Sequence, residues 1–210
     1  MARTGGRDGS VSEGQAGKAV SAADLWLGIQ LRTLRKAARH SLSDLARKAS
    51  LSIGMISQIE RGVASPSIRS LRQISDALGV APGQFFRDGL QPPIEEMGKI
   101  VRKTGRRRLS LPRNGVTREL LSPDLDGKTE MLLVIVAPGG SSGPEHDVHK
   151  GEDAGVVLSG ELELSIDRHK YLLEEGDSFR FASALPHRFA NFSQSETRVL
   201  WLITPPALTE

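Results

Sequence analysis

The sequence predicts a two-domain α+β protein, with an N-terminal bundle of five short helices and a C-terminal antiparallel β-barrel. Two observations predict this division. Apolar residues recur at helical spacing from Asp24 to Phe86, whereas from about Lys99 onward they alternate or form short β-rich runs. Turn-forming residues in RDGLQPP, at positions 87–93, separate the two patterns. The many short runs of the second part, divided by turn signals such as PGG and EEGD, are typical of a sandwich or barrel.

The charge of the chain is divided at the same place. Residues 1–113 contain 20 Lys and Arg against 9 Asp and Glu, whereas residues 114–210 contain 8 against 16. A basic first half suits a polyanionic partner such as DNA, and an acidic second half does not. The sequence has no cysteine, which excludes disulfides, thiolate zinc sites and a cysteine nucleophile within it. No apolar run approaches the roughly 18 residues of a membrane-spanning helix, so we expect none.

Composition also predicts the domain boundaries. Residues 1–22 are rich in Gly, Ser and Ala and lack the apolar segment of a signal peptide, so they are predicted to be a disordered tail. Residues 23–88 form the predicted helical domain, 89–98 a linker, and 99–210 the β domain. We therefore expect a cytoplasmic protein.

Start signals divide the helical part into its elements. Ser41 and Asp44 have the spacing of a capping box at the start of the second helix. Ser52 and Ser67 are predicted N-caps of the third and fourth helices, and Pro82 suits the first turn of a short fifth helix.

The second and third helices, joined at Ser50–Ser52, have the spacing of a helix-turn-helix motif. In such a pair the second helix enters the major groove, so one face packs inward and the other carries small or polar side chains. Ile56 and Ile59 are spaced to face the core, and Gln58 on the outer face is suited to pair with adenine. The predicted DNA-binding residues are Ser52, Gly54, Ser57, Gln58, Arg61 and Arg69. Arg72 is a further candidate for a phosphate contact.

The stretch LRTLRKAARHSLSDLARKASLSIGMISQIERG, with PSIRSLRQISDALGV after it, resembles the Cro/repressor-type helix-turn-helix family, also called the XRE family. The resemblance implies five helices, recognition by the third, and a buried structural ion pair between Arg35 and Glu60. Two positions differ from the family pattern. Ser50 stands where the turn usually has glycine, and Leu42 replaces a polar residue that often contacts phosphate.

Histidines and aspartates cluster in the second part, around HKGEDAGVVLSG and GDSFRFASALPHRFAN. These two stretches resemble the motifs of the cupin family, a double-stranded β-helix. Alignment back from Gly160 places Asp153 at the family's glutamate, His149 at its second histidine and Asp147 at its first. His187 matches the histidine of the second motif. The full set of three histidines and one glutamate is therefore not present.

The remaining residues leave three interpretations of the β domain open. His149, Asp153 and His187, with Asp147 as a fourth candidate, are a ligand set suited to iron, zinc, manganese or nickel. The same residues are also compatible with a metal-free pocket for an organic effector. A barrel used only for dimerisation is the third interpretation.

These features predict a sequence-specific transcriptional regulator, and of the two directions of regulation we expect repression. Its cupin domain is predicted to bind a small-molecule effector or metal and so to modulate operator binding. The resemblance implies a homodimer that binds double-stranded DNA, and no membrane partner is expected. The alternative is a mononuclear metal-dependent cupin enzyme, similar to iron-dependent phosphonate epoxidases, that carries a helix-turn-helix domain. A chromatin or scaffold protein without an effector is a third hypothesis.

Overall fold

The computed structural model describes residues 20–86, 93–124 and 127–206. Most of the predicted tail and of the predicted linker lies outside these residues. The first domain contains four α-helices: α1 (Ala22–Ala37), α2 (Leu42–Lys48), α3 (Ile53–Glu60) and α4 (Ile68–Leu78). No helix within the described ranges is both long and apolar enough to cross a membrane.

The predicted caps are confirmed. Ser41 and Asp44 form a reciprocal capping box at α2. Ser52 Oγ accepts a hydrogen bond from the Met55 N–H at 3.0 Å, and Ser67 caps α4 in the same way. These side chains satisfy N–H groups that have no partner in the first turn of a helix, so the local sequence fixes where each helix begins.

The fifth predicted short helix is a single 3₁₀ turn, Pro82–Phe85, so the described part of the first domain has four α-helices and one 3₁₀ turn where five helices are expected. Pro82 suits a first helical turn, as predicted. However, Phe85 is fully buried and Phe86 already has an extended backbone, so the chain turns away after one turn. Burial of the two aromatic rings decides this segment, because a four-residue helix has little stability of its own.

The second domain is built from antiparallel strands in two sheets. The strands are β1 (Arg108–Leu111), β2 (Val116–Leu120), β3 (Glu130–Val136), β4 (Glu152–Ser159), β5 (Leu162–Ile166), β6 (His169–Leu173), β7 (Ser178–Ala182), β8 (His187–Ala190) and β9 (Thr197–Thr204). The larger sheet has the order β1-β2-β3-β9-β4-β7, and the smaller has the order β6-β5-β8.

Barrel closure is a correction to the predicted fold. Among the described strands, neither sheet is closed on itself by hydrogen bonds. The two sheets instead bury alternate side chains between them, such as Leu132 and Val134 of β3 and Leu162 and Leu164 of β5. The predicted alternation of β5 is therefore confirmed.

The two domains share one contiguous apolar core and are joined by direct hydrogen bonds. The Ile68 N–H at the start of α4 donates to the Ser142 carbonyl at 3.2 Å. Asn114 Nδ2 donates to the Pro66 carbonyl at 2.8 Å. These contacts place one side of α4 against the β domain.

Candidate functional site

The outer face of α3 has the character predicted for a DNA-reading helix. Ile56 and Ile59 are completely buried and hold α3 against the other helices. The residues predicted to contact DNA lie on the other side: Ser52, Gly54, Gln58 and Arg61 are exposed and Ser57 is half-buried. The helix therefore offers polar side chains and one glycine to a groove while its apolar side remains packed.

Sequence reasoning missed two apolar members of this surface. Ile53 and Met55, in the first turn of α3, are 52% and 41% exposed. Both break the inward apolar stripe of the helix, which is the signal that could have identified them. Exposed apolar side chains at this position suit contact with the methyl group of thymine.

The family-implied pair of Arg35 and Glu60 lies directly behind this surface. Arg35 Nε and Nη2 donate to the two carboxylate oxygens of Glu60, the second at 2.9 Å, and Nη1 donates to the His40 carbonyl at 2.8 Å. The hydrogen bond to Glu60 raises the pKa of Arg35. Both side chains are nearly buried, and the pair ties the C-terminal ends of α1 and α3 together.

Two arginines of α4 face the β domain. Arg69 Nη1 donates to the His146 carbonyl at 3.0 Å, and Arg69 also lies near Glu145. Arg72 Nη2 donates to Asp147 Oδ2 at 3.1 Å. The expected phosphate contact of Arg72 is wrong for this arrangement, because its side chain points into the second domain. The role of Arg69 in DNA binding stays a prediction.

A small cavity lies between the two sheets, beneath α4. Its volume is about 20 Å³, which is room for about one water molecule or ion. Its wall contains all four predicted metal-site residues, which are Asp147, His149, Asp153 and His187. Arg118 of β2 and Trp201 of β9 also line it. The fold thus brings the two cupin-like motifs together, as the sequence predicts.

Two different kinds of backbone contact position the histidines. His187 begins β8, and its backbone pairs with that of Asp147 through hydrogen bonds of 2.7 and 3.0 Å. His149 lies in the loop before β4 and donates its backbone N–H to the Ser183 carbonyl. His149 and Asp153 therefore do not share one continuous strand, because Gly151, where φ is +94°, lies in a loop between them.

The ring orientation of both histidines is set by backbone carbonyls. Nδ1 of His187 is 2.8 Å from the Leu185 carbonyl oxygen, and Nδ1 of His149 is 3.1 Å from that of Lys150. A carbonyl oxygen only accepts, so in each case Nδ1 carries the proton. In the neutral rings Nε2 then holds a lone pair directed into the cavity, which is the arrangement seen in metal-ligating histidines. Burial lowers the pKa of His187 and favours this neutral form.

Asp153 is the buried carboxylate on which the two imidazoles converge. Its Oδ2 lies 3.2 Å from His149 Nε2 and 3.8 Å from His187 Nε2, while Oδ1 accepts a 2.6 Å hydrogen bond from the Trp201 indole N–H. Burial alone would raise the pKa of Asp153, but its contacts with His149, Ser183 and Trp201 keep that pKa below its usual range. No hydrogen-bond donor among the described residues reaches Oδ2 with acceptable geometry.

These contacts fit a divalent cation. An imidazole lone pair 3.2 Å from a carboxylate oxygen is unfavourable unless a proton or a metal ion lies between them. His149, His187 and Asp153 would hold such an ion by two nitrogens and one oxygen. When bound, the ion would supply a local positive charge that attracts an anionic group of a ligand.

Asp147, the fourth candidate, differs from Asp153 in its partners. Its Oδ1 accepts from the Val148 N–H at 3.0 Å, and its Oδ2 accepts from Arg72. Burial would raise the pKa of Asp147, but the charge and hydrogen bond of Arg72, together with the two nearby histidines, lower it below its usual range. Ligand atoms of Asp147, His149 and His187 lie within 4.8 Å of one another. Asp147 is thus near enough to join a metal site but is engaged by the helical domain.

Three wall residues carry chemistry that the sequence did not assign to this pocket. Arg72 comes from the other domain, which no local pattern indicates. Arg118 is a buried guanidinium whose pKa is lowered by burial, against the opposing charge of Glu130. Trp201, near the middle of β9, holds Asp153 in place through its indole N–H.

Comparison with known proteins agrees with this division of the chain. Residues 26–85 match a family model described as a helix-turn-helix domain, and residues 132–203 match one described as a cupin domain. The two matches correspond to the helical domain and to most of the two-sheet domain.

Relatives with both parts are known. The chain is 28% identical over 179 residues to a curated protein named HTH-type transcriptional regulator PuuR from Escherichia coli strain K12, covering 85% of this chain and 94% of that protein. It is 27% identical over 182 residues to the HTH-type transcriptional regulator SutR of the same strain, covering 86% and 96%. A crystal structure of an HTH_3 family transcriptional regulator from Vibrio cholerae superposes with a TM-score of 0.59 at 23% identity, covering 87% of this chain and 97% of that one. That structure supports the fold.

Proposed function

Since the chain is a DNA-binding transcriptional regulator that joins an XRE-type helix-turn-helix domain to a cupin domain, we propose that its cupin domain binds a divalent metal ion or small effector that changes operator affinity. The observation that carries this proposal is the convergence of His149 Nε2, His187 Nε2 and Asp153 Oδ2 in one buried cavity. The exposed polar face of α3 supports the DNA-binding part.

The proposed DNA contacts have separate roles. Gln58 reads a base edge, with Ser57 beside it, and Gly54 allows close approach of the helix. Arg61, at the C-cap of α3, and the Ser52 end of the helix hold phosphates. A homodimer would place two copies of α3 on half-sites about one DNA turn apart. The dimer, the cytoplasmic location and repression remain predictions.

A binding role for the cupin cavity is favoured over catalysis by the curated relatives, which are named as regulators. The cavity is also small, at about 20 Å³, and one of its walls belongs to the DNA-binding domain. We therefore propose that the site senses a ligand and has no enzymatic turnover.

DNA binding is tested by selection of bound duplexes from a random library, followed by mobility-shift titration of the enriched site at several salt concentrations. The Gln58→Ala variant is expected to lose about 1–3 kcal/mol of discrimination at one base pair. The Gln84→Ala variant is the matched control, since Gln84 is exposed on the 3₁₀ turn away from α3. Enrichment of no sequence, or an equal effect of both variants, would contradict the proposed recognition helix.

Metal binding is tested by elemental analysis of tag-free protein produced with added iron, zinc, manganese and nickel. Near-stoichiometric metal is expected in the natural sequence and in a His40→Ala/His169→Ala control, whose histidines lie outside the cavity. The His149→Ala/His187→Ala variant is expected to lose it. If no metal is retained by any of them, the metal site is rejected.

A further inference from the structure

Arg72 connects the DNA-binding domain to the interior of the cupin domain. It lies in the middle of α4, yet its side chain is only 18% exposed, and its Nη2 is 3.1 Å from Asp147 Oδ2. Asp147 in turn is hydrogen-bonded through its backbone to His187. A residue of the helical domain therefore reaches the immediate surroundings of the proposed metal site.

Two cavities meet at this side chain. The inner one, of about 20 Å³, contains the metal-site candidates. The outer one, of about 210 Å³, is a groove between the domains, with Asp76 of α4 on one side and Val148, Lys150 and Pro205 on the other. Arg72 and His149 line both cavities. The Arg72 side chain thus forms part of the wall that the inner site shares with the outer groove.

We propose that Arg72 competes with a divalent cation for Asp147. A cation that binds Asp147 displaces the Arg72 side chain, and this displacement weakens the docking of α4 against the cupin domain. This inference rests on the proposed function of the same site and specifies how occupancy reaches the DNA-binding domain. It assigns to Arg72 a coupling role in place of the expected phosphate contact.

Charge explains why the two cations compete. Asp147 Oδ2 lies 3.1 Å from the Arg72 guanidinium, and atoms of Asp147 lie within 4.8 Å of ligand atoms of both histidines. A divalent ion held by the histidines would therefore lie close to Arg72 and repel it in a poorly hydrated pocket. Arg118 is buried within β2 and cannot leave without disturbing the sheet. Arg72 belongs to another domain, so it is the cation that can withdraw.

Displacement of Arg72 is expected to weaken a nearby hydrogen bond between the two domains. Four residues earlier, the Ile68 N–H donates to the Ser142 carbonyl across the domain interface. Ser142 also lines the inner cavity. Because coupling between two equilibria is reciprocal, weaker docking of α4 must accompany tighter ligand binding, and docked α4 must weaken it.

The test is calorimetric titration of full-length, metal-stripped protein with Mn²⁺ and, separately, Ni²⁺. The Arg72→Gln variant is expected to bind at least about tenfold more tightly than the natural sequence, within the usual range of such coupling. Arg72→Lys keeps the charge and is expected to stay near the natural affinity. Arg188→Gln removes the same charge from the cavity wall without touching the interface, so it is expected to change affinity less than Arg72→Gln.

A second readout is amide hydrogen exchange of a peptide that contains Ile68, with and without saturating Mn²⁺. Exchange is expected to become faster on saturation in the natural sequence. Equal affinities of the natural and Arg72→Gln proteins, an equal gain in Arg188→Gln, or unchanged exchange on saturation would each overturn the coupling while leaving the metal site intact. Failure of every protein to bind either ion would instead overturn the metal site, and the coupling with it.

Discussion

Arg35 and Glu60 in the helical domain, and Asp153 with His149 and His187 in the cupin domain, are both buried groups of charged or titratable side chains. In the first group the guanidinium donates to both carboxylate oxygens and to one backbone carbonyl. In the second group Asp153 Oδ2 makes no hydrogen bond of acceptable geometry within the described residues, and it lies 3.2 Å from His149 Nε2. The first group is complete by itself, as a structural pair should be. The second requires a proton or a metal ion between the imidazole and the carboxylate, and the capacity to take up an ion is the physical character of a binding site.

The most severe way to test this comparison is to break the complete pair. Glu60→Gln removes the charge that compensates the buried Arg35, and we expect it to cost about 3–5 kcal/mol of the free energy of unfolding. Chemical denaturation followed by the helical circular dichroism signal measures this. Asp153→Asn is the matched change in the cupin domain and is expected to cost much less, because the amide oxygen still accepts from Trp201. Equal losses in the two variants would show that the two groups are alike.

The incomplete group depends on a neighbour that orients it. Trp201→Phe keeps the aromatic packing against Phe179 and Phe189 but removes the N–H that binds Asp153 Oδ1. We expect metal affinity to fall about 10–100-fold, as is common for partners that orient a ligand. Calorimetric titration with Mn²⁺ measures the effect. A variant that binds the ion as tightly as the natural protein would remove Trp201 from the site.

Gly54 allows a test of whether the outer face of α3 closely approaches DNA. A methyl group at this position would meet only Ser52 Oγ, at 3.9 Å, so the fold has room for it. Gly54→Ala is therefore expected to stabilise α3 by up to about 1 kcal/mol, through helix propensity. It is also expected to weaken operator binding, because the added methyl stands on the outer face. Denaturation and mobility-shift titration together check this, and greater stability with unchanged DNA affinity would mean that Gly54 does not approach DNA.

The smallest expected effect concerns the turn between α2 and α3. Ser50 has φ +56°, in the left-handed region where a side chain costs roughly 1 kcal/mol. Ser50→Gly removes that cost but gives the unfolded chain more freedom, so we expect a net stabilisation of about 0.5 kcal/mol. Arg39→Gly, at φ +55°, is a control with the same backbone geometry. Destabilisation by Ser50→Gly would mean that the serine side chain itself stabilises the turn.

Local patterns in the sequence were sufficient for most of the helical domain. Ser41, Ser52 and Ser67 each cap the predicted helix, because a cap depends on residues only two or three positions away. The turn at Ser50 and the pair of Arg35 with Glu60 were available through resemblance to a family. The fifth predicted helix is limited to one 3₁₀ turn, where burial of Phe85 and Phe86, a tertiary effect, is not visible in the local pattern.

The second domain was predicted less completely. The runs that became β3, β5 and β9 were recognised, but barrel closure was not found among the described strands. Which side chains line a cavity depends on strand register, and a shift by one residue reverses every side chain. Alignment of short motifs nevertheless selected His149, Asp153 and His187, which the fold brings together.

By itself, the sequence determined the two domains, the start of each helix, the polar face of α3 and the residue types available for a metal site. Only the tertiary structure decided which distant residues contact the two aspartates of that site. Trp201 reaches Asp153 across 48 residues, and Arg72 reaches Asp147 across 75. Periodicity and capping act over a single turn of helix or a few strand positions, so they are visible in the sequence. Contacts between distant segments depend on sheet register and domain docking, which no local spacing specifies.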